Sequence, residues 1–454
     1  MAKIYSHTTG LCSVCAKKTA ARIIESDGSI YLEKMCPEHG STKALVSTDV
    51  EWYEESLHYI KPGQQPLMRN VTEFTGCPDS CGYCPEHQQH VCLPVIEILS
   101  HCDMQCPICM KRFAAPFALT VEEFTGIIDN LIRTEGCVDV INISGGEPTL
   151  HPQFKKLIEI ALEKGITQIS VSTNGLTLLK DAELRRFFKE KGVVAALQFD
   201  GFQSSTYIFL RGADLSAKKL ELIELFEKEE LLYSLVAAAA KGVNDDEIEA
   251  ISDFFFRSNT LTLMFQPLVF TGNAAAIDEQ RHRLTVADIV HHIEQSAFAD
   301  KGDFNPLPCS HFSCFALSYY FTLEDGEVYS LKKFLGKEDF LNIIANKTLP
   351  GLDSEGYDLI KNRIYDLWSA ADYSASNEKV LERVKDILRL ISSQGLSRKE
   401  KLNLGIANMK AVFIHNFMDV HTMDFSRLQK CCNPYPQTGD RLVPMCAQNV
   451  FFQN

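Results

Sequence analysis

PVIEILSHCDMQCPIC, residues 94–109, is a short apolar run that breaks directly into three cysteines. Pro94 to Leu99 has the length and residue types of a buried strand. Cys102, Cys106 and Cys109 follow at C-x3-C-x2-C spacing, so three thiolates leave one strand end together. Taken alone, the triplet fits a zinc knuckle with a distant fourth ligand as well as an iron–sulfur cluster with one open iron.

The sequence beyond the triplet repeats one theme. Thr120 and Glu123 make a capping-box pattern ahead of Val121, Phe124, Ile127, Ile128 and Leu131, which share one helical face. The apolar strand VDVINI (138–143) leads into SGGEP (144–148), and a helix over 152–164 leads to ITQISVS (166–172) and the turn Thr173-Asn174-Gly175. VVAALQFD (193–200), LYSLVAAAA (232–240) and LTLMFQPLVF (261–270) continue the alternation. Strands separated by helices predict an α/β fold with a parallel barrel or open sheet. Ligands of such folds sit at the carboxyl ends of the strands. The triplet, GGEP, STNG, Gln198 with Asp200, and FTGNA (270–274) all fall there.

The chain has 454 residues, enough for several units, with 45% hydrophobic and 23% charged residues. A net charge of −14 argues against a nucleic-acid partner, which calls for a basic surface. No apolar run reaches the ~18 residues of a membrane span. MAKIYSHTTGLCSVC lacks the apolar core of a secretory signal, so a cytoplasmic location is expected. Sixteen cysteines in a reducing compartment point to metal ligation or catalysis rather than disulfides.

Those cysteines are grouped. Cys12, Cys15 and Cys36 with His39 form C-x2-C and C-x2-H knuckles of the rubredoxin or zinc-ribbon kind, suited to one iron or zinc. Cys77, Cys81, Cys84 and Cys92 supply four thiolates just before the barrel, enough for an auxiliary [4Fe–4S] cluster or a zinc. Cys309, Cys314, one of the vicinal pair Cys431 and Cys432, and Cys446 make a further quartet. Cys137 reads as a small buried hydrophobe.

CDMQCPIC, SGGEPTLHP and VSTNG, in this order and at these strand ends, resemble the radical S-adenosylmethionine (SAM) superfamily over residues 94–275. The resemblance implies a partial (β/α)6 barrel. It also implies a catalytic [4Fe–4S] cluster on Cys102, Cys106 and Cys109, whose open iron takes the amino and carboxylate groups of SAM. Reductive cleavage then yields a 5′-deoxyadenosyl radical. Gly145, Gly146 and Glu147 would receive the methionine amino group, Thr173 and Asn174 would line the ribose and carboxylate region, and Asp200, Arg211 and Gln266 would meet other polar parts of SAM. One departure is Ile108, where the superfamily often has an aromatic residue before the last cysteine.

The whole layout, with CPEHG (36–40), PCSHFSCF (308–315) and CCNPYPQTGDRLVPMCAQN (431–449), resembles the subgroup of tetraether lipid synthases and methanopterin-precursor (7,8-dihydro-6-hydroxymethylpterin) methyltransferases. It supports His39 as a ligand and leaves the vicinal pair open, with Cys431 preferred. The implied organisation is a metal-binding domain over 1–65, an auxiliary-cluster segment over 66–93, the barrel over 94–305 and an α-rich auxiliary-cluster domain over 306–454. The implied partners are a small-molecule or lipid substrate and a reductant such as ferredoxin or flavodoxin. The implied reaction is hydrogen abstraction from an unactivated carbon, joining lipid alkyl chains. C-methylation of a pterin precursor and auxiliary-cluster peptide maturation are the alternatives. A lipid needs an apolar tunnel, for which AVFIHNFMDV (411–420) is the candidate wall, with core packing as the competing reading. Residues 378–430 read largely as helices, with Val380, Val384, Ile387 and Leu388 at helical spacing and Leu404, Ile406 and Met409 following after Gly395. Arg398 to Lys401 reads as a solvated helix face, with a peripheral membrane contact as the alternative.

Overall fold

The computed structural model describes residues 3–69, 71, 76–77, 82–113, 115–323, 327–347 and 408–452, with short pieces between 362 and 405. Cys81, the repeat residues Val380, Val384, Ile387, Leu388, Leu404 and Ile406, and Arg398, Lys399 and Lys401 lie outside the described residues.

The chain begins with an antiparallel meander of β1 (Ile4–Leu11), β2 (Lys18–Ser26), β3 (Ser29–Cys36) and β4 (Gly40–Ser47), paired in that order. Asp27 and Gly28 connect β2 to β3 with φ of 53° and 75°, the two left-handed residues that a tight hairpin requires. Its buried cluster is small, Ala21, Ile23, Ile30 and Leu32 with Tyr53 of the helix that follows, little apolar surface for an independent unit. The meander docks on the body by the Thr8 Oγ1–Asp424 Oδ1 bond (2.5 Å), by Lys34 Nζ on His421 O (2.7 Å) and by a bridge between Gly10 and Asp424.

The body is one sheet. β5 (Val95–Leu99), β6 (Val140–Gly145), β7 (Gln168–Thr173), β8 (Val194–Gln198), β9 (Tyr233–Ala239) and β10 (Thr262–Pro267) run parallel, each beside the next. These are the six expected strands. Helices such as Val121–Glu135 and Phe154–Glu163 cross between them. The helix at 121 starts on the expected capping box of Thr120 and Glu123 and buries Phe124, Ile128 and Leu131 against the sheet. Each such side chain contributes about 1.5–3 kcal/mol.

Past β10 the sheet continues with β11 (Asn305–Pro306), β12 (Phe315–Thr322), β13 (Val328–Ser330) and β14 (Met409–His415). The order is β11-β12-β14-β10-β9-β8-β7-β6-β5, with β13 on β12. β14 is parallel to β10 and antiparallel to β12. The helical reading of Met409 and of the 411–420 wall is therefore corrected. Met409 to His415 is an interior strand, and burial on both faces erases the alternation that would have marked it. The C-terminal part also carries helices at Leu331–Leu335, Lys337–Ile344, Phe425–Leu428 and Met445–Phe451, and a small ribbon of β15 (Pro434–Pro436) and β16 (Leu442–Pro444). No described helix is long and apolar enough to cross a membrane.

Candidate active site

The loop carrying Cys102, Cys106 and Cys109 leaves β5 and is gripped from both ends of the parallel sheet. On one side Gly146 N–H donates to Leu99 O (2.6 Å) and Glu147 N–H to His101 O (2.8 Å). A Cβ on Gly146 would fall 2.2 Å from His101 O, so only glycine allows this approach. On the other side Asn273 N–H donates to Cys109 O (2.8 Å) and Asn273 Nδ2 to Cys106 O (3.1 Å). Gly272 sits there with φ +61, and a Cβ on it would fall 2.5 Å from Cys109 O. The three thiols are half-buried and close enough for each charge to act on its neighbour. Three thiolates on one loop at the strand ends suit a cluster with an open iron.

Glu147 is the hub behind this loop. Its Oε1 accepts from Thr149 N–H (3.2 Å), Thr149 Oγ1 (2.6 Å) and Thr173 Oγ1 (2.8 Å), and its Oε2 accepts from Asn174 N–H (2.8 Å). Burial pushes the carboxyl upward, and these donors oppose it. Asn174 in turn donates Nδ2 to Asp103 Oδ1 (2.7 Å), inside the cysteine loop. GGEP, STNG and the triplet are thus one bonded unit, and Glu147 spends its carboxylate on protein donors.

Asp200 is fully buried and holds Arg211 bidentately, with Nε on Oδ2 and Nη2 on Oδ1, both 2.7 Å. The guanidinium lies near enough to the Cys106 thiol for its charge to favour the thiolate, against the upward push of burial. Gln198 bonds Asp200 through Nε2 and accepts Lys219 Nζ at 2.8 Å, and Lys219 reaches Asn174 O at 2.6 Å. Burial pushes the Lys219 ammonium down to about 7 against the pull of Asp200. Gln266, expected among the SAM contacts, donates to Met264 Sδ on its own strand (3.4 Å). Lys219 was not expected. Its signal is spacing: Leu222, Ile223 and Phe226 lie three, four and seven residues on, which puts the lysine on the buried face. Ile108, the departing position, packs with Leu210, Ala238, Leu268 and Phe270 beside the loop.

The N-terminal knuckles converge as expected. The loops after β1 and β3 bring the donor atoms of Cys12, Cys15, Cys36 and His39 within 4.8 Å of one another. His39 presents Nδ1, 3.6 Å from Cys12 Sγ and 3.5 Å from Cys36 Sγ. Backbone N–H groups of Cys15 and Val14 hold the Cys12 thiol down to about 6. A tetrahedral ion with arms of ~2.3 Å has edges of about 3.8 Å, so this set fits a mononuclear metal.

The remaining cysteines group across the chain rather than along it. Cys84 lies within the influence of Cys77. Cys92 packs with Cys309 and Cys432, with Cys314 against them, and Cys446 lies in a different apolar layer, with Cys77 against it. Cys137 is exposed, not the buried hydrophobe expected. His415, between the rings of Phe315 and Phe417 at 3.9 Å each, is held down to about 3 by burial, so it is a neutral packing residue.

Residues 73–255 match the radical SAM superfamily, and residues 4–48 match the HMPTM N-terminal zinc ribbon domain. The chain is 28% identical to 7,8-dihydro-6-hydroxymethylpterin dimethyltransferase of Methanocaldococcus jannaschii, over 98% of this chain and 93% of that protein. It is 31% identical to the S-adenosylmethionine-dependent nucleotide dehydratase of Selenomonas ruminantium, over 29% of this chain and 47% of that one. Among solved structures, Streptococcus suis SuiB bound to S-adenosylmethionine is similar over 45% of this chain and 46% of its own, with a TM-score of 0.39 and 17% identity.

Proposed function

From the premise that this chain is a radical SAM enzyme, we propose that it forms a carbon–carbon bond at a carbon too inert for acid–base chemistry. The observation that carries the reading is the Cys102–Cys106–Cys109 loop, braced by Gly146, Gly272 and Asn273. A [4Fe–4S] cluster with SAM on its open iron supplies a 5′-deoxyadenosyl radical when reduced. The chain's own part is placement. Cys102, Cys106 and Cys109 are the ligands, Gly145 and Gly146 offer backbone to the methionine amino group, and Thr173 and Asn174 form the neighbouring wall. Glu147 is a positioning residue. Arg211 and Lys219 bring positive charge toward the carboxylate of SAM, and Ile108, Leu210 and Phe270 keep water out. Cys12, Cys15, Cys36 and His39 hold a structural zinc or iron. An external reductant such as ferredoxin or flavodoxin, and the cytoplasm as location, complete the reading.

Two substrates fit this chemistry. The full-length likeness to the M. jannaschii enzyme supports C-methylation of a pterin precursor. A methionine-rich apolar layer of Met110, Met418, Met445, Val269 and Phe417, shared with Cys446, supports a lipid alkyl chain. Product counting separates them. Methyl transfer yields S-adenosylhomocysteine alongside 5′-deoxyadenosine, whereas joining two alkyl carbons removes two hydrogens and yields two 5′-deoxyadenosines with no S-adenosylhomocysteine. Anaerobic turnover of the reconstituted enzyme with each substrate class reads this ratio. No 5′-deoxyadenosine from wild type, or an unchanged yield from Cys106→Ala, overturns the radical assignment itself.

A further inference from the structure

Where the N-terminal meander meets the body, the two leave a cavity of about 280 Å³ between them. Tyr5 and Tyr53 close it from the N-terminal side, and His311, Phe312, Arg427 and Lys430 from the body. Among the described residues that line it there is no cysteine and none of GGEP or STNG, so it is separate from the site above. One wall is a row of rings. Tyr5 meets Tyr53 edge-on at 5.3 Å, Tyr53 meets Phe312 edge-on at 5.3 Å, and Phe312 stacks on His311 at 4.5 Å. Paired rings of this kind hold one another in place.

Several donors on these walls lack a protein acceptor. Tyr53 is 5% exposed, and among the described residues its hydroxyl has no hydrogen-bond partner. The hydroxyl of Tyr5, by contrast, is committed to Glu54 Oε1 (2.6 Å) and Glu25 Oε2 (3.1 Å). His311 Nδ1 accepts from Ser313 N–H at 3.2 Å, so the ring's proton sits on Nε2, which meets no acceptor among the described residues. Arg427 is also 5% exposed. Its Nε donates to Cys314 Sγ (3.4 Å) and its Nη2 to Ser313 O (3.2 Å) and Asn416 O (2.8 Å), which leaves Nη1. Lys430 Nζ makes no bond to a described residue. Asp424 is the one carboxylate among the described lining residues, and its Oδ1 is already occupied by Thr8 Oγ1 (2.5 Å), Ser426 N–H (2.9 Å) and Ser426 Oγ (2.7 Å). In a chain of net charge −14 this cleft sets two permanent cations against one carboxylate. A cleft so lined gathers anions.

We propose that this cavity binds a small phosphate monoester, held by Lys430, Arg427, His311 and Tyr53 where the N-terminal domain meets the body. Four donors, two of them cationic, exceed what the two oxygens of a carboxylate use; they suit the three oxygens and nearly double charge of a phosphate. The volume lies just under the ~300 Å³ at which drug-sized sites begin, so the ester group is no larger than one ring or a short polyol. Because the walls come from both units, the occupant ties the N-terminal domain to the body. The inference goes beyond the proposed reaction and is independent of its substrate.

Phenyl phosphate is the probe, titrated calorimetrically into the full chain, anaerobically reconstituted and saturated with SAM. One saturable site is expected, together with slower proteolysis of residues 4–48 when the probe is present. Tyr53→Phe keeps the ring and removes only the hydroxyl, and is expected to weaken binding about fivefold. Lys430→Gln weakens it about tenfold or more. Lys43→Gln removes the same charge from the N-terminal domain outside the cavity and leaves binding unchanged. Benzoate, with two oxygens and one charge, binds about tenfold more weakly than phenyl phosphate. Unchanged metal content shows that each variant is folded. No saturable binding by the wild type, wild-type affinity in both Tyr53→Phe and Lys430→Gln, or an equal loss in Lys43→Gln overturns the site. Benzoate binding as tight as that of phenyl phosphate overturns the phosphate assignment.

Discussion

Glu147→Gln removes one negative charge from a carboxylate that four protein donors share. Glutamine keeps one acceptor oxygen and replaces the other with a donor. The threonine hydroxyls on Oε1 can rotate, but Asn174 N–H on Oε2 and Thr149 N–H on Oε1 are fixed by the backbone. Whichever way the amide turns, one backbone N–H faces another donor. The loss is one charge-assisted bond, about 1.5–3 kcal/mol, plus an orphaned buried donor at about 1–3 kcal/mol. A total of about 2.5–6 kcal/mol is a large share of the ~5–15 kcal/mol that holds a domain. Because Asn174 also ties to Asp103, the damage passes into the cysteine loop. Denaturant unfolding of the apoprotein is expected to show that destabilisation, and equilibrium dialysis of the reconstituted enzyme at least tenfold weaker SAM binding. A variant within about 1 kcal/mol of wild type, with unchanged SAM affinity, refutes the claim that this carboxylate positions the three loops.

Gly272→Ala puts a Cβ 2.5 Å from Cys109 O at φ +61; the expected outcome is loss of the catalytic cluster's iron and of 5′-deoxyadenosine formation. Asp200→Asn leaves Arg211 buried without its counter-charge and costs about 3–5 kcal/mol, whereas Asp200→Asn/Arg211→Met regains most of that stability in denaturant without regaining SAM binding. Burial pushes Lys410 down to about 8, while Nζ donates to the carbonyls of Phe255, Ser258 and Thr260. The unfolded chain, titrating near the ordinary lysine value of 10.5, binds more protons above pH ~8, so folded stability rises with pH across this window by at most about 3 kcal/mol. Lys410→Met removes that rise, and a pH-invariant difference between the two proteins would count against the burial account. Cys36→Ser is expected to cost the ribbon its metal and open residues 4–48 to limited proteolysis while the barrel stays protected; a protease-resistant, metal-free ribbon is the opposing result.

Much of the site was legible because its signals are local. The triplet, GGEP and STNG each lie on one loop, and buried parallel strands announce themselves as apolar runs. The ribbon quartet was legible for the same reason, since two short turns carry all four donors. What escaped depends on partners far along the chain. β14 pairs Ala411 with Thr262, and seven residues are too few to separate a buried strand from a buried helix face. Lys219 and Arg427 look like surface cations in a string of letters; only the apolar spacing after Lys219 hinted otherwise. Cys92 packs with Cys309 and Cys432 because the body folds back on itself, a pairing no spacing rule contains.

The insertion of β14 between β10 and β12 also sets a schedule for biosynthesis. At about 5–20 residues per second a ribosome needs on the order of ten seconds after β10 to deliver β14. Until then β10 has an open edge and β12 lacks the neighbour that joins it to the barrel. Strand edges left bare for that long invite wrong pairings. Cys431, Cys432 and Cys446 emerge later still. The cell must shelter an unfinished sheet in the meantime.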